Sequence, residues 1–421
     1  MLTRRNLLRA SSGLAGAAGL GLLGLPTRAF AAASGSQLKF LFVMNYGGWD
    51  PTRVFASEFA NPNVDMERGA DEATLGDLRF VDHAARPSVR TFFEKYAERS
   101  VIFNGLLVPS VAHDNCLRIA LTGSTAQDRS DWGAIMAGSR SADFPIPQVV
   151  VGGPSYPGEF GAFVTRTGTS GQIEGLLSGD IAAWSDIPVG RPAARADDVM
   201  DAYLARRFSA AADFARPGRE AALRQGLEVA LDRSRYLKDL LNLVTWNTSS
   251  FAGQMRLATD LLALQVSRVA TLSFSSGGWD THAANDAGQS ANFESLFSHL
   301  NDLVALLEEQ PGESTATLAD ETVIVVLSEM GRTPLLNANQ GKDHWPYTSA
   351  LVMGPGLVGG RVIGGYDSYY YGRTVDPTSG DLHDGGTSLS SEVLGATLLT
   401  LAGVDPAEYT PGVSAVTAVI A

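Results

Sequence analysis

Apolar residues along the chain fall into short, nearly continuous runs bounded by Gly, Ser or Asn. Longer stretches with apolar positions every three or four residues separate them. The short runs, at 39–44, 101–104, 148–151, 269–274, 322–327 and 350–353, read as strands buried on both faces of a mostly parallel sheet. The longer stretches, at 88–98, 113–121, 290–309 and 391–401, have the spacing of helices. The last, within "SLSSEVLGATLLTLAG", has a serine start, an amphipathic body and a glycine stop. Their alternation predicts an α/β fold, a mostly parallel central sheet sandwiched by helices.

From about 187 to 268 the texture changes. "REAALRQGLEVALDRSRYLKDLLNLV" is rich in Ala, Leu, Glu and Arg and reads as helix without strand. No linker rich in Pro or Gly/Ser cuts it off, so the expectation is one elaborated domain over 36–421 with a helical insertion at about 187–268. Residues 1–31 read differently. Twin arginines, Arg4 and Arg5, precede an apolar stretch too short to span a bilayer, and Ala29-Phe30-Ala31 offers a small-x-small cleavage site. This is the pattern of a Tat signal peptide, which predicts passage through the Tat translocase and a periplasmic or secreted mature protein.

Charge narrows the classes further. The chain of 421 residues carries 32 basic and 45 acidic residues; without the four arginines of the leader, 28 basic face 45 acidic, a net −17. Such a surface repels nucleic acid and anionic lipid, so neither a nucleic-acid partner nor a stable membrane anchor is expected. The only cysteine, Cys116, excludes an internal disulfide, and the "LRIAL" after it marks it as a buried small hydrophobe.

The tetrapeptide GGWD occurs twice, at 47–50 and 277–280, each copy following an apolar run. The flanks differ, so convergence of two loops is a better reading than an internal repeat. In an open α/β sheet the loops at the carboxyl ends of the strands form the binding crevice. Asp50 closes one copy and Asp280 the other, with His282 two residues on. A third strand ends in Glu329, and "GKDHWP" supplies Asp343 and His344. Carboxylates with imidazoles are the usual shell for Zn²⁺, Mn²⁺ or Mg²⁺ at hydrolytic sites. Asp50, Asp280, His282, Glu329 and His344 are therefore candidate ligands of one or two divalent metal ions (Zn, Mn or Mg, with Ca a further option). His83 and His299 read as a loop position and a helix face without a role.

The segments "GGWDTH", "VVLSEMGRTP" and "GKDHWPYTSALVMGPGLVGGRVIGGYD", with the leader and the C-terminal "LGATLLTLAGVDPAEY", resemble the exported bacterial family DUF1501. That family is similar in architecture to the alkaline phosphatase superfamily, which includes sulfatases. The resemblance implies a mixed sheet between helices with two metals at its carboxyl edge. By that resemblance Asp50 matches an acid on the second metal, and Asp280, His282 and His344 match ligands of the first. Glu329 matches the acid of a strand-end Asp-His pair whose histidine is replaced by Met330. One site centred on Asp280, His282 and His344 is the safer expectation. Sulfatases place their nucleophile nine residues before a Thr-Gly pair; here His113 stands nine before Thr122-Gly123, with Ser110 as an alternative. His113 could instead ligate a metal.

Arg332 and Lys342 are candidate clamps for phosphate or sulfate oxygens. Together these residues predict an exported metal-dependent hydrolase of phosphate or sulfate esters, acting on an anionic small-molecule or polysaccharide ester. The alternative is a non-catalytic, metal-stabilised binding or assembly protein, with the tyrosines of "YDSYYYGRTVDP" as its contact surface.

Overall fold

A computed structural model describes residues 37–167, 194–212, 240, 243–274 and 278–421. The leader and most of the helical run at 219–244 lie outside the described residues. Of the expected insertion, two helices are described, Ala194–Ala212 and Phe251–Ala263.

The centre is an eight-stranded sheet. Its strands in chain order are β1 (Lys39–Asn45), β2 (Ser100–Leu107), β3 (Gln148–Val150), β4 (Val164–Arg166), β5 (Val269–Phe274), β6 (Thr322–Ser328), β7 (Tyr347–Met353) and β8 (Arg361–Gly364). Across the sheet they run β8-β2-β7-β6-β1-β5-β3-β4. Every neighbouring pair is parallel except those made by β7, which runs antiparallel to both β6 and β2. The sheet is therefore mixed but mostly parallel, the class that the apolar runs predicted.

All seven positions of β1 are buried, because each face of the sheet meets a helical layer. Leu41 and Val43 join one core with helices Pro87–Tyr96, Phe251–Ala263 and Asn285–Glu308. Phe40, Phe42 and Met44 join the other with His113–Thr122, Trp132–Ser139 and Ser391–Leu401. Full burial of each large apolar side chain favours the folded chain by about 1.5–3 kcal/mol. Cys116 is buried with Val108, Ile119 and Met330, as expected of a small hydrophobe. Among the described residues, no helix is long and apolar enough to cross a membrane.

Candidate metal centre

The candidate site forms where β1, β5 and β6 end side by side. In register, Asn45 faces Phe274 on one side and Ser328 on the other, so the three following loops leave the sheet together. The first GGWD segment then meets Trp279 and Asp280 of the second. Gly47 has φ +122°, and a Cβ there would lie 2.9 Å from the backbone nitrogen of Asp280. Only glycine tolerates both that conformation and that approach. Trp49 and Trp279 pack edge to face at 6.2 Å, and both lie against Phe293.

Arg332, fully buried just beyond β6, fastens the two loops together. Its Nε donates to the carbonyl of Gly48 at 2.8 Å, and one terminal nitrogen donates to the carbonyl of Gly47 and, at 2.6 Å, to Asp280 Oδ1. The other terminal nitrogen reaches the Lys342 carbonyl. The repeated tetrapeptide is thus two halves of one junction, with Asp280 at its exposed end.

Three imidazoles converge on that carboxylate. His282 Nε2 lies 3.0 Å and His344 Nε2 3.1 Å from Asp280 Oδ1, and His113 Nε2 lies 3.5 Å from Oδ2. The Nε2 atoms of His282 and His344 are 3.1 Å apart. Each ring is held by its other nitrogen: His113 by Glu329 Oε1 at 2.8 Å, His282 by Asp343 Oδ1 at 2.8 Å, and His344 by the Val111 carbonyl at 2.7 Å. A carboxylate or carbonyl at Nδ1 draws a proton to that nitrogen, so that each ring, when neutral, presents its Nε2 lone pair to the centre.

Two such lone pairs 3.1 Å apart repel unless a proton or a metal cation lies between them. Tetrahedral bonds of about 2.0–2.1 Å separate neighbouring ligands by about 3.3 Å, close to the spacings present here. The potential ligand atoms of His113, Asp280 and His344 all lie within 4.8 Å of one another. The donor set therefore fits a metal ion.

Electrostatics set the charge of each member of the cluster. Burial raises the Asp280 carboxyl, but Arg332 and then His344 outweigh it and hold it down at about 2. The hydrogen bond to Glu329 raises the His113 imidazole above its ordinary value, against the effect of burial. Asp280 and His282 are exposed and His113 and His344 half-buried, so the ligand atoms are reachable from solvent. Tyr46, 49% exposed, lies beside the His113 ring at 5.2 Å.

The remaining expected residues are elsewhere. Asp50 is fully buried; its Oδ1 accepts from the Thr52 backbone and hydroxyl at 3.1 and 2.6 Å, and its Oδ2 from Asn285 and Lys342, both at 2.9 Å. Burial alone would raise this carboxyl, but Lys342 and Arg53 hold it far below the usual carboxylate range. Lys342 and Arg332, the expected clamps for phosphate or sulfate oxygens, are fully buried and bonded within the protein. Glu329 is buried behind the cluster, where its Oε1 accepts from Gly47 N and holds His113.

His113 stands in the cluster, with Nδ1 bonded to Glu329 at 2.8 Å and Nε2 3.5 Å from Asp280 Oδ2. Ser110 accepts a hydrogen bond from Ala112 N at 3.2 Å. Sequence reasoning gave no role to the Val111 carbonyl, for which no side-chain signal exists, nor to Gln289. Gln289 joins the two loops by accepting from Asp50 N and donating to the Trp279 carbonyl, both at 2.8 Å.

Comparison with known proteins assigns the chain to a family. A family model described as a protein of unknown function (DUF1501) matches residues 194–415, more than half of the chain, and the chain belongs to that family. No curated protein matches it. Similar solved structures include a protein of the alkaline phosphatase superfamily from Vibrio parahaemolyticus, at 11% identity over 95% of this chain and 74% of that one, with a TM-score of 0.37. A phosphonate monoester hydrolase from Silicibacter pomeroyi is 14% identical over 90% and 77%, with a TM-score of 0.35. A sulfatase from Pseudoalteromonas sp. is 10% identical over 91% and 72%, with a TM-score of 0.36. At such TM-scores the likeness carries no argument about chemistry, which rests on the site's own atoms.

Proposed function

We propose that the protein is a metal-dependent hydrolase of phosphate or sulfate esters, with His113, Asp280, His282 and His344 holding a divalent cation. The observation that carries the reading is the convergence of three imidazole Nε2 atoms on one carboxylate, each ring oriented from behind by an acceptor at Nδ1. Such outer partners fix the tautomer and direction of metal-binding histidines. An imidazole-rich shell suits Zn²⁺ better than Mg²⁺ or Ca²⁺, which prefer oxygen.

A bound cation would supply Lewis acidity, activating water and offsetting charge on the ester oxygens. The chain's own contribution is orientation. Arg332 keeps Asp280 ionised and pinned to the first loop, while Glu329, Asp343 and the Val111 carbonyl aim the rings. Water is the nucleophile in this reading, and an anionic small-molecule or polysaccharide ester the substrate. Passage through the Tat translocase to the periplasm or beyond belongs to the same proposal and rests on Arg4 and Arg5.

The test is turnover of aryl phosphate, aryl sulfate and aryl phosphonate by zinc-loaded protein, chelated protein and Asp280→Ala. Turnover of at least one ester that chelation and the substitution both abolish supports the reading. Activity unchanged by either contradicts it.

One observation favours the binding-protein alternative. Tyr369 is 70% and Tyr371 46% exposed, and Tyr371 stacks on Trp345 at 5.5 Å with rings 10° apart. A chain that holds metal and binds glycan without turning over any of the three esters would be that protein.

A further inference from the structure

We infer that the cation facing Asp50 is the chain's own Lys342 ammonium, and that the protein takes a single metal ion, at the His113–Asp280–His282–His344 cluster. The inference rests on the metal reading of that cluster. It departs from the two-metal arrangement implied by the family resemblance, in which Asp50 would ligate the second ion.

Four observations carry it. A carboxylate offers about four lone-pair sites, and four donors already approach Asp50: Thr52 N, Thr52 Oγ1, Asn285 Nδ2 and Lys342 Nζ. Charge is balanced as well. Lys342 lies 2.9 Å from Asp50, and Arg53 pairs with Asp286 at 2.6 Å while lying 3.5 Å from Asp50. Two cations thus meet two carboxylates, and a divalent ion added there would leave a buried excess of positive charge, which is costly.

The other residues expected beside a second ion are also committed. Glu329 Oε1 serves Gly47 N and His113, and Met330 is fully buried against Val108, Cys116 and Ile119. Finally, Lys342 does a second task by position. Its nitrogen donates to the Thr281 carbonyl at 3.0 Å and its carbonyl accepts from Arg332, so the residue that neutralises Asp50 also sets the backbone leading to Asp343 and His344.

Elemental mass spectrometry of the full chain, equilibrated with Zn²⁺ and dialysed, is the first test. One zinc per chain is expected in the wild type, none in Asp280→Ala/His344→Ala, and one still in Asp50→Asn/Lys342→Met, which removes both buried charges together. Two zincs in the wild type with one lost from Asp50→Asn/Lys342→Met would overturn the inference and leave the cluster reading intact. A folded wild type without zinc would overturn the cluster reading itself, and the inference with it.

The second test separates an ammonium site from mere packing. Lys342→Ala is expected to lose thermal stability and to recover part of its Tm in methylammonium, with no such rise in Asp50→Asn/Lys342→Met. If Lys342→Ala folds only with methylammonium present, refolding yield gives the same expected reading. A Tm, or a refolding yield, that methylammonium leaves unchanged would overturn the assignment.

Discussion

In the proposed metal site Asp280 is the ligand whose negative charge matters, and Arg332 holds it ionised. With its carboxyl held at about 2 against an ordinary 3.8, the metal-free protein carries a stabilising contribution present above the ordinary value. It is lost as pH falls through the folded one. His113 has the opposite sign. Its folded pKa is raised above 6.5, so its protonated form adds stability below 6.5 that disappears as pH rises through the folded value. Since a metal competes with that proton, zinc affinity is expected to climb as pH rises toward the folded His113 value and to level off above it. Glu329→Gln is expected to shift the midpoint downward; calorimetric titration across pH checks this, and an unmoved midpoint would contradict the role given to Glu329. Asp343 is exposed and holds only His282. Asp343→Ala is therefore expected to weaken zinc binding by about 10- to 100-fold with little change in stability, as read by competition with a chromogenic chelator.

At this scale the sequence shows donors better than their surroundings. Asp280, His282 and His344 stand out as residue types at strand ends. The acceptors behind them do not, because the Val111 carbonyl is backbone and has no sequence signature. Asp50 and Lys342 carry the same types as a ligand and a clamp. Only three-dimensional placement reveals that they neutralise each other.

Among elements, the junction of the two GGWD loops governs the site. Gly47→Ala would force a Cβ to 2.9 Å from Asp280 N at a φ of +122°. A loss of about 1–3 kcal/mol in urea unfolding is expected from that strain, together with weakened zinc binding because the second loop must shift. Arg332→Ala would strip Asp280 and the Gly47 and Gly48 carbonyls of their donor. Leaving the two buried carbonyls without their donor costs about 1–3 kcal/mol each, also measurable by urea unfolding. A loss below about 1 kcal/mol, the range of an exposed pair, would contradict the junction.

The strands were legible because both faces of the sheet are covered, so nearly every residue of β1, β5 and β6 is buried and most are apolar. Direction was not legible. The apolar run in β7 looks like its neighbours, yet it runs antiparallel between β6 and β2. An apolar run records burial and is blind to orientation. The long helix Asn285–Glu308 begins five residues before the predicted 290, since Asn285 and Gln289 are spent on loop contacts and break the apolar rhythm.

For the whole molecule, the cluster draws on distant parts of the chain: a helix start after β2, a loop after β5 and a hairpin after β6. Binding there closes these segments on one another and favours only the folded chain. Zinc at 100 times its dissociation constant is expected to add about 2.7 kcal/mol of stability, visible as a rise in Tm that the Asp280→Ala/His344→Ala protein lacks. The acidic surface, −13 overall, also draws cations loosely, so a rise shared by that variant would mark nonspecific binding.

The most direct test of the central claim is X-ray absorption at the zinc edge of the purified, stoichiometrically loaded chain. Three imidazole nitrogens and a carboxylate oxygen at about 2.0–2.2 Å are expected. A shell of oxygens alone, or zinc that washes away from the folded protein, would contradict the account.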